Sequence, residues 1–278
     1  MWRTVKWTGS LVAVGAMLVV TAQFMITAGC QKLKARDSLN RGVRAYRSAK
    51  YPEAVEHFRT AVDLDPQFPV ARLYLATAYM SQYIPGAESE ENLNMAKAAH
   101  SEFTKVLEQE PKNAVALASI ASMHFHQKKF DDAETWYKKL VEADPQNKEG
   151  YYTLGVIAWT RTFRSRMEAR AKLGMRPEDP GPLKDKKVRE EIRAANLAII
   201  EAGFQMLEKA LDVDKEYDDA MAYMNLLHRE RADLQDTPEA YRKDTEAADA
   251  WVQKNLETKK IKAARQPAST GLIAEESK

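Results

Sequence analysis

Tyr51-Pro-Glu-Ala54-Val-Glu-His-Phe58-Arg-Thr-Ala61, followed by Asp65-Pro66, is the stretch that decides the fold. The same arrangement returns as Phe130-Asp-Asp-Ala133-Glu-Thr-Trp-Tyr137 ahead of Asp144-Pro145. In both, large apolar residues alternate with small ones at the spacing of one helix face, which predicts amphipathic helices of about 12 to 16 residues. Proline then ends each helix, because it lacks an N–H donor and restricts the residue before it.

The acid–proline stops Asp65-Pro66, Glu110-Pro111 and Asp144-Pro145 are separated by 45 and then 34 residues. The next equivalent position is Lys215, in Leu211-Asp-Val-Asp-Lys215, 70 residues beyond Pro145. Between the stops, Gly42, Ala76, Ala121 and Gly155 fall midway along a first helix, and Ala54, Ala99, Ala133 and Gly203 open its partner. A small residue lets two antiparallel helices come close, while Tyr46, Phe58, Tyr79, Phe103 and Tyr137 fill the gaps beside it.

This phase of small and large residues, with the 34-residue step from Pro111 to Pro145, resembles the tetratricopeptide (TPR) repeat over about residues 35–255. The expected fold class is all-α, a TPR-like α-solenoid of antiparallel helix pairs, with units at 35–68, 69–113, 114–147, 148–217 and 218–255. The fifth unit departs from the pattern at Asn225, as a terminal repeat with a polar outer face often does. The resemblance implies a concave groove that binds proteins or peptides. In the first three units its lining is expected to be Tyr46, Thr77, Met80, Ser119, Ser122 and Phe125. Tyr152, Val156, Trp159 and Tyr223 continue it, with packing between helices as the alternative role of the rings. Family members that hold chaperone tails use groove lysines, an arginine and asparagines to grip a carboxylate. Here the matching stretches read Leu39, Asn40, Val43, Tyr74, Thr77, Val115 and Ser119, so acidic chaperone tails are not expected ligands.

Two insertions explain the long spacings. The first, near residues 82–92, reads as a loop before a lengthened helix, with Ser89 or Glu90 as its cap. The second, about 163–194, opens with Arg161, Arg164, Arg166, Arg170, Lys172 and Arg176 against Glu168 and continues through Pro177, Pro180 and Pro182. That basic run suits either a solvated helix face or contact with anionic lipid or an acidic partner. Residues 256–278 read as a disordered tail.

At the other end, Arg3 and Lys6 precede the uncharged run Leu11-Val-Ala-Val-Gly-Ala-Met-Leu-Val-Val20, and Thr27-Ala28-Gly29-Cys30 closes the segment. A cationic start, a short apolar stretch and small residues make a secretory signal over 1–29. The sole cysteine directly after Ala28-Gly29 resembles the lipobox of bacterial lipoproteins, which implies that Cys30 is lipidated and that 30–34 is a tether. Thr27 departs from that family's aliphatic preference. An uncleaved membrane anchor over Trp7–Gly29 is the alternative. Either version places the chain at a bacterial cell envelope, facing the periplasm or another extracytoplasmic space.

Composition narrows the remaining classes. Arg3 and Lys6 account for the whole surplus of 42 basic over 40 acidic residues, so the rest of the chain is neutral and no nucleic-acid partner is expected. One cysteine forms neither an internal disulfide nor a thiolate cluster. No phosphate-binding glycine loop, Gly-x-Ser-x-Gly or His-Glu-x-x-His is present. His124 and His126, two apart on a helix, point about 200° from each other and cannot share an ion. No catalytic residue, metal or cofactor is expected, and the chain reads as a non-catalytic interaction scaffold. An accessory factor of a secretion, pilus or outer-membrane assembly machine, docking through residues 163–194, is the alternative.

Overall fold

The structure, a computed structural model, describes residues 29–265. Among them every regular element is a helix. The chain divides into two compact units, the first ending at Lys129 and the second starting at Phe130.

The first unit holds α1 (29–47), α2 (Tyr51–Leu64), α3 (Pro69–Met80), α4 (Glu90–Gln109) and α5 (Ala114–His126). In chain order α2 packs on α3, α3 on α4 and α4 on α5. The stripe Ala54, Val55, Phe58, Ala61 and Val62 of α2 is buried, as the alternation of large and small residues requires. Gly42 of α1 lies so close to Phe58 that an added Cβ would stand 2.5 Å from ring carbons. Phe58 in turn stacks on Tyr74 of α3 at 5.3 Å, tying one helix pair to the next.

The second unit holds α6 (Phe130–Ala143), α7 (Lys148–Lys172), α8 (Lys186–Val213), α9 (Asp218–Ala232) and α10 (Pro238–Arg265). Here α7 touches α6, α8 and α9, and α10 covers α9. The close approaches recur. A Cβ on Gly155 would meet Leu207 at 2.5 Å, and one on Gly203 would meet Ala158 at 2.8 Å and Leu227 at 2.9 Å.

One turn is built four times. After each second helix the N–H of Phe68, Asn113, Asn147 or Tyr217 donates to the carbonyl three residues back, on Asp65, Glu110, Asp144 or Asp214. The next helix then begins, with Asn113 and Asn147 accepting side-chain caps from Ala116 and Gly150. Lys215 stands where the other three turns have proline, yet its turn closes with the same bond, at 3.1 Å.

Both insertions are held by a buried polar side chain. Asn92 of α4 accepts from the Ile84 N–H at 2.7 Å and donates to the carbonyls of Ile84 and Ala87, fastening the 81–89 loop. Ser89 caps α4, accepting from the Asn92 N–H. In the second insertion Arg170, 2% exposed, donates to both oxygens of Asp233 and to the carbonyls of Arg176 and Asp179. The Leu183 N–H reaches the Asp233 carbonyl at 3.0 Å. The loop between α7 and α8 is thereby bound to the end of α9.

Three expectations are corrected. Residues 256–265, assigned to the tail, are the last turns of α10: Asn255 and Thr258 are buried against α9, and Lys262 and Arg265 pair with Asp218 and Glu216. Those contacts tie the last turns to α9 and the residues just before it; residues 266–278 lie outside the description. The basic run of the second insertion is a solvated face only in part: Arg164, Lys172 and Arg176 are exposed, whereas Arg161 binds Asp131 and Glu134, Arg166 binds Glu230 and Asp233, and Arg170 is enclosed. Val156, expected in the groove, is 7% exposed, since α7 is enclosed at its middle by α6, α8 and α9 and buries Leu154 through Ala158.

If the glycine contacts set the helix spacing, Gly155→Val must push α7 from Leu207. It is expected to cost about 1–3 kcal/mol in urea denaturation, and an unchanged midpoint would show that the two helices can separate there freely.

Candidate functional site

Two turns of helix bring residues seven apart back to nearly the same direction. On α7 this aligns Tyr152, Trp159 and Arg166, and Phe163 lies one turn beyond Trp159. Tyr217 and Tyr223, at the cap and in the second turn of α9, stand beside them. The rings form a continuous chain. Tyr152 meets Tyr217 at 5.3 Å and Tyr223 at 5.5 Å; Trp159 meets Tyr223 at 5.6 Å and Phe163 at 4.8 Å. Cations close both ends, with Lys148 Nζ 4.8 Å from the Tyr217 ring and the Arg166 guanidinium 5.7 Å from Phe163.

These rings are neither core nor fully open. Phe163 is 38% exposed, and Tyr152, Trp159, Tyr217 and Tyr223 are half-buried. Burial pushes the Tyr152 hydroxyl up to about 12, with its neighbours Tyr223 and Asp219 adding to the effect. Burial also raises Tyr217 and Tyr223. All three therefore stay neutral near pH 7 and present ring surface with a polar edge, a combination that interfaces favour.

An ion cluster supports the strip from below. Arg166 donates from Nε to Glu230 and from Nη1 to Asp233, each at 2.8 Å, and Arg170 takes the other side of Asp233. Burial lifts the Glu230 carboxyl to about 7, while Arg166 and the Trp159 indole favour its charged form and Asp233 opposes it. Glu230 and Asp233 hold Arg166, whose guanidinium stands over the Phe163 ring at the end of the strip.

The first unit gathers its expected residues more loosely. The Tyr46 hydroxyl meets Ser81 Oγ at 2.8 Å, and Ser81 donates to the Thr77 carbonyl at 3.0 Å, so the ends of α1 and α3 are joined beside Thr77 and Met80. Ser119, Ser122 and Phe125 are half-buried along α5, with Phe125 set edge-on to His126 at 5.9 Å. His124 packs edge-on against His100, while His126 is exposed. Among the described residues no three His, Cys, Asp or Glu side chains gather to hold a metal, and no helix is long and apolar enough to cross a membrane. Cys30 is free and exposed.

Tyr217, Phe163 and the carboxylates of the ion cluster were missed at the level of sequence. Phe163 repeats the Trp159 face one turn later, a signal that was available. Glu230 and Asp233 are ordinary-looking acids near the end of α9, and nothing local marks them as buried.

Stacked antiparallel helices with small residues at each close contact, and aromatic rings facing out from the first helices, define a helical-repeat protein. Profiles of the tetratricopeptide repeat match residues 39–83 and 94–155. Over those residues the chain carries tetratricopeptide repeats, and its helix pairs have the fold of a TPR-like α-solenoid. It is 30% identical over 109 residues to mouse RNA polymerase II-associated protein 3, covering 39% of this chain and 15% of that protein. It is 31% identical over 117 residues to rat sperm-associated antigen 1, covering 42% of this chain and 12% of that protein. The matched stretch is thus a small part of each relative. Among solved structures, a crystal structure of MamA covers 84% of this chain and 97% of its own at TM-score 0.56 and 13% identity. MamA of Desulfovibrio magneticus covers 82% and 96% at TM-score 0.53 and 18% identity. At those identities the likeness shows the fold.

Glu230 has a pH signature of a definite sign. Its folded pKa, about 7, lies above the ordinary 4.5, so the fold keeps a proton that the unfolded chain has lost. This group's contribution to stability therefore falls as pH rises through that window and levels off above it. Urea midpoints measured across the window are expected to differ progressively between wild type and Glu230→Gln, which lacks the slope. A constant difference would mean that Glu230 titrates normally.

Proposed function

We propose that this chain is a non-catalytic scaffold for protein–protein interaction, held at a bacterial cell envelope by its N-terminal segment. The observation that carries the binding half is the aromatic strip of α7 and α9. Rings in a folded protein are usually covered by the chain's own core. These are instead fixed by neighbours and left half open, so little side-chain entropy remains to be lost when a partner covers them. A partner segment with apolar anchors suits such a surface. Tyr46, Thr77, Met80, Ser122 and Phe125 supply a second, mixed apolar and hydroxyl surface on the first unit.

The ion cluster argues for the strip over the second insertion as the docking element. Arg161, Arg166 and Arg170 are already committed to partners within the fold, which leaves an acidic partner only the exposed Arg164, Lys172 and Arg176.

Trp159→Ala combined with Tyr223→Ala removes the centre of the strip. Quantitative capture of envelope proteins by purified wild type and variant is expected to fall by roughly 30-fold for the specific partner, as for loss of an interface hot spot. The same partners at the same yield would remove the strip as the binding surface, provided circular dichroism shows an intact fold.

The envelope half rests on the sequence of residues 1–30: a cationic start, an apolar run, and Ala28-Gly29 before an otherwise solitary cysteine. Lipidation of Cys30 would add stable attachment, because each buried methylene contributes about 0.8 kcal/mol. Metabolic labelling with palmitate is expected to mark wild type and leave Cys30→Ser unmarked. Label retained by the mutant would exclude Cys30 as the acylated residue.

A further inference from the structure

We propose that the outward face of α1 lies against an anionic phospholipid surface, making a second membrane contact that rests on the envelope placement given above. Between Cys30 and Lys50 the chain carries seven lysines and arginines and a single acid, Asp37, although its overall charge is nearly balanced. The helix sorts these residues. Ala35, Leu39, Gly42 and Ala45 turn inward and are buried, while Arg36, Arg44 and Arg47 are exposed on the other side. Arg41 is tied to Asp37 at 2.9 Å. Arg36, Arg44 and Arg47 have no acidic partner among the described residues, unlike the arginines of the second unit's ion cluster.

Two further features point to lipid. Leu33 is 71% exposed on this same face, three residues from Cys30 and eleven from Arg44, spacings that return to one side of a helix. A basic helix that also presents an apolar side chain matches an interfacial surface, where charge attracts headgroups and the apolar group enters the acyl boundary. Beside it, a hollow of about 480 Å³ is lined by Arg41, Arg44, Lys50 and His57 with Asp37 and Glu53. The two acids engage Arg41, Lys50 and His57, so Arg44 is the cation there with no acid paired to it.

Reach keeps the start of α1 close to the membrane in both versions of the N-terminus: a lipid on Cys30 puts the anchor on the helix itself, and an uncleaved apolar segment leaves only a short link. Only residues 27–29 separate Ile26, near the end of the apolar stretch, from Cys30. Extended chain spans at most about 3.6 Å per residue, so α1 starts within roughly 14 Å of the apolar segment. With the helix laid along the surface, its outward arginines come within the ~8 Å screening length of physiological salt. The basic face is then held where an anionic surface attracts it and a neutral one does not.

The test uses the full chain with vesicles of phosphatidylcholine alone or mixed with phosphatidylglycerol. Wild type is expected to partition more strongly onto the anionic vesicles, with the increment shrinking as salt rises. Arg36→Gln/Arg44→Gln/Arg47→Gln is expected to lose on the order of 100-fold of that increment, at about five-fold per charge, while binding neutral vesicles like wild type. Circular dichroism checks that it folds. A polarity-sensitive dye on Leu33→Cys in a Cys30→Ser background is expected to shift to the blue on anionic vesicles only. An increment that survives in the triple variant, or no difference between the two vesicles for wild type, overturns the proposal. So does equal binding to duplex DNA lost in the same variant, since the face would then read any polyanion. Failure on neutral vesicles with the anionic increment intact would instead remove the N-terminal anchor and leave the α1 contact standing.

Discussion

The closeness of paired helices is the constraint on which the structure depends. A helix with one oily stripe cannot cover itself, and a pair of such helices still leaves apolar surface for the next pair to hide. How well the pair closes is set at a few points where one helix gives up its side chain, as Gly42 does to Phe58 and Gly155 to Leu207. There the ring or branched chain of the partner occupies the space a Cβ would need. The large residues then have fixed positions, and the rings that find no room inside are turned toward the open face.

The two units spend this freedom differently. In the first, Phe58 is fully enclosed and stacks on Tyr74, so aromatic surface is used to join consecutive helix pairs. In the second, α7 and α8 run to 25 and 28 residues, and the added length carries Phe163 and Arg166 beyond Trp159 along the face that α9 lines. The longer α7 ends on the ion cluster that Arg166 and Arg170 form with Glu230 and Asp233. Removing one partner from such a buried cluster is far costlier than the pair is worth as a whole. Arg166 and Arg170 are therefore structural parts of the site, held by Glu230 and Asp233.

Most of the architecture could be read from residue order. Acid–proline stops and paired small residues placed the helices because both act locally, through backbone restriction and through the absence of a side chain. Lys215 could be recognised as a turn without proline only from the phase of the repeat around it. What could not be read depended on contacts distant in sequence. The last turns of α10 looked like a polar tail because Lys262 and Arg265 carry no apolar signal; their partners, Asp218 and Glu216, lie more than forty residues earlier. Val156 fell on the expected face and was still covered, since α7 has neighbours on three sides. The groove residues of α7 and α9 were legible as a class, whereas the carboxylates that hold them in place were not.

The repeated corner has a consequence for how this architecture can change. Both insertions sit inside a helix pair, at 81–89 and at 173–185, and none sits at the four-residue corner that hands one pair to the next. Each corner is closed by its own backbone bond, so it works as a fixed joint whatever length of loop or helix lies between two joints. New material can be spliced into a hairpin without altering the angle at which its successor departs. Elaboration is thereby steered toward the hairpin tips, and the stacking order of the pairs is inherited intact.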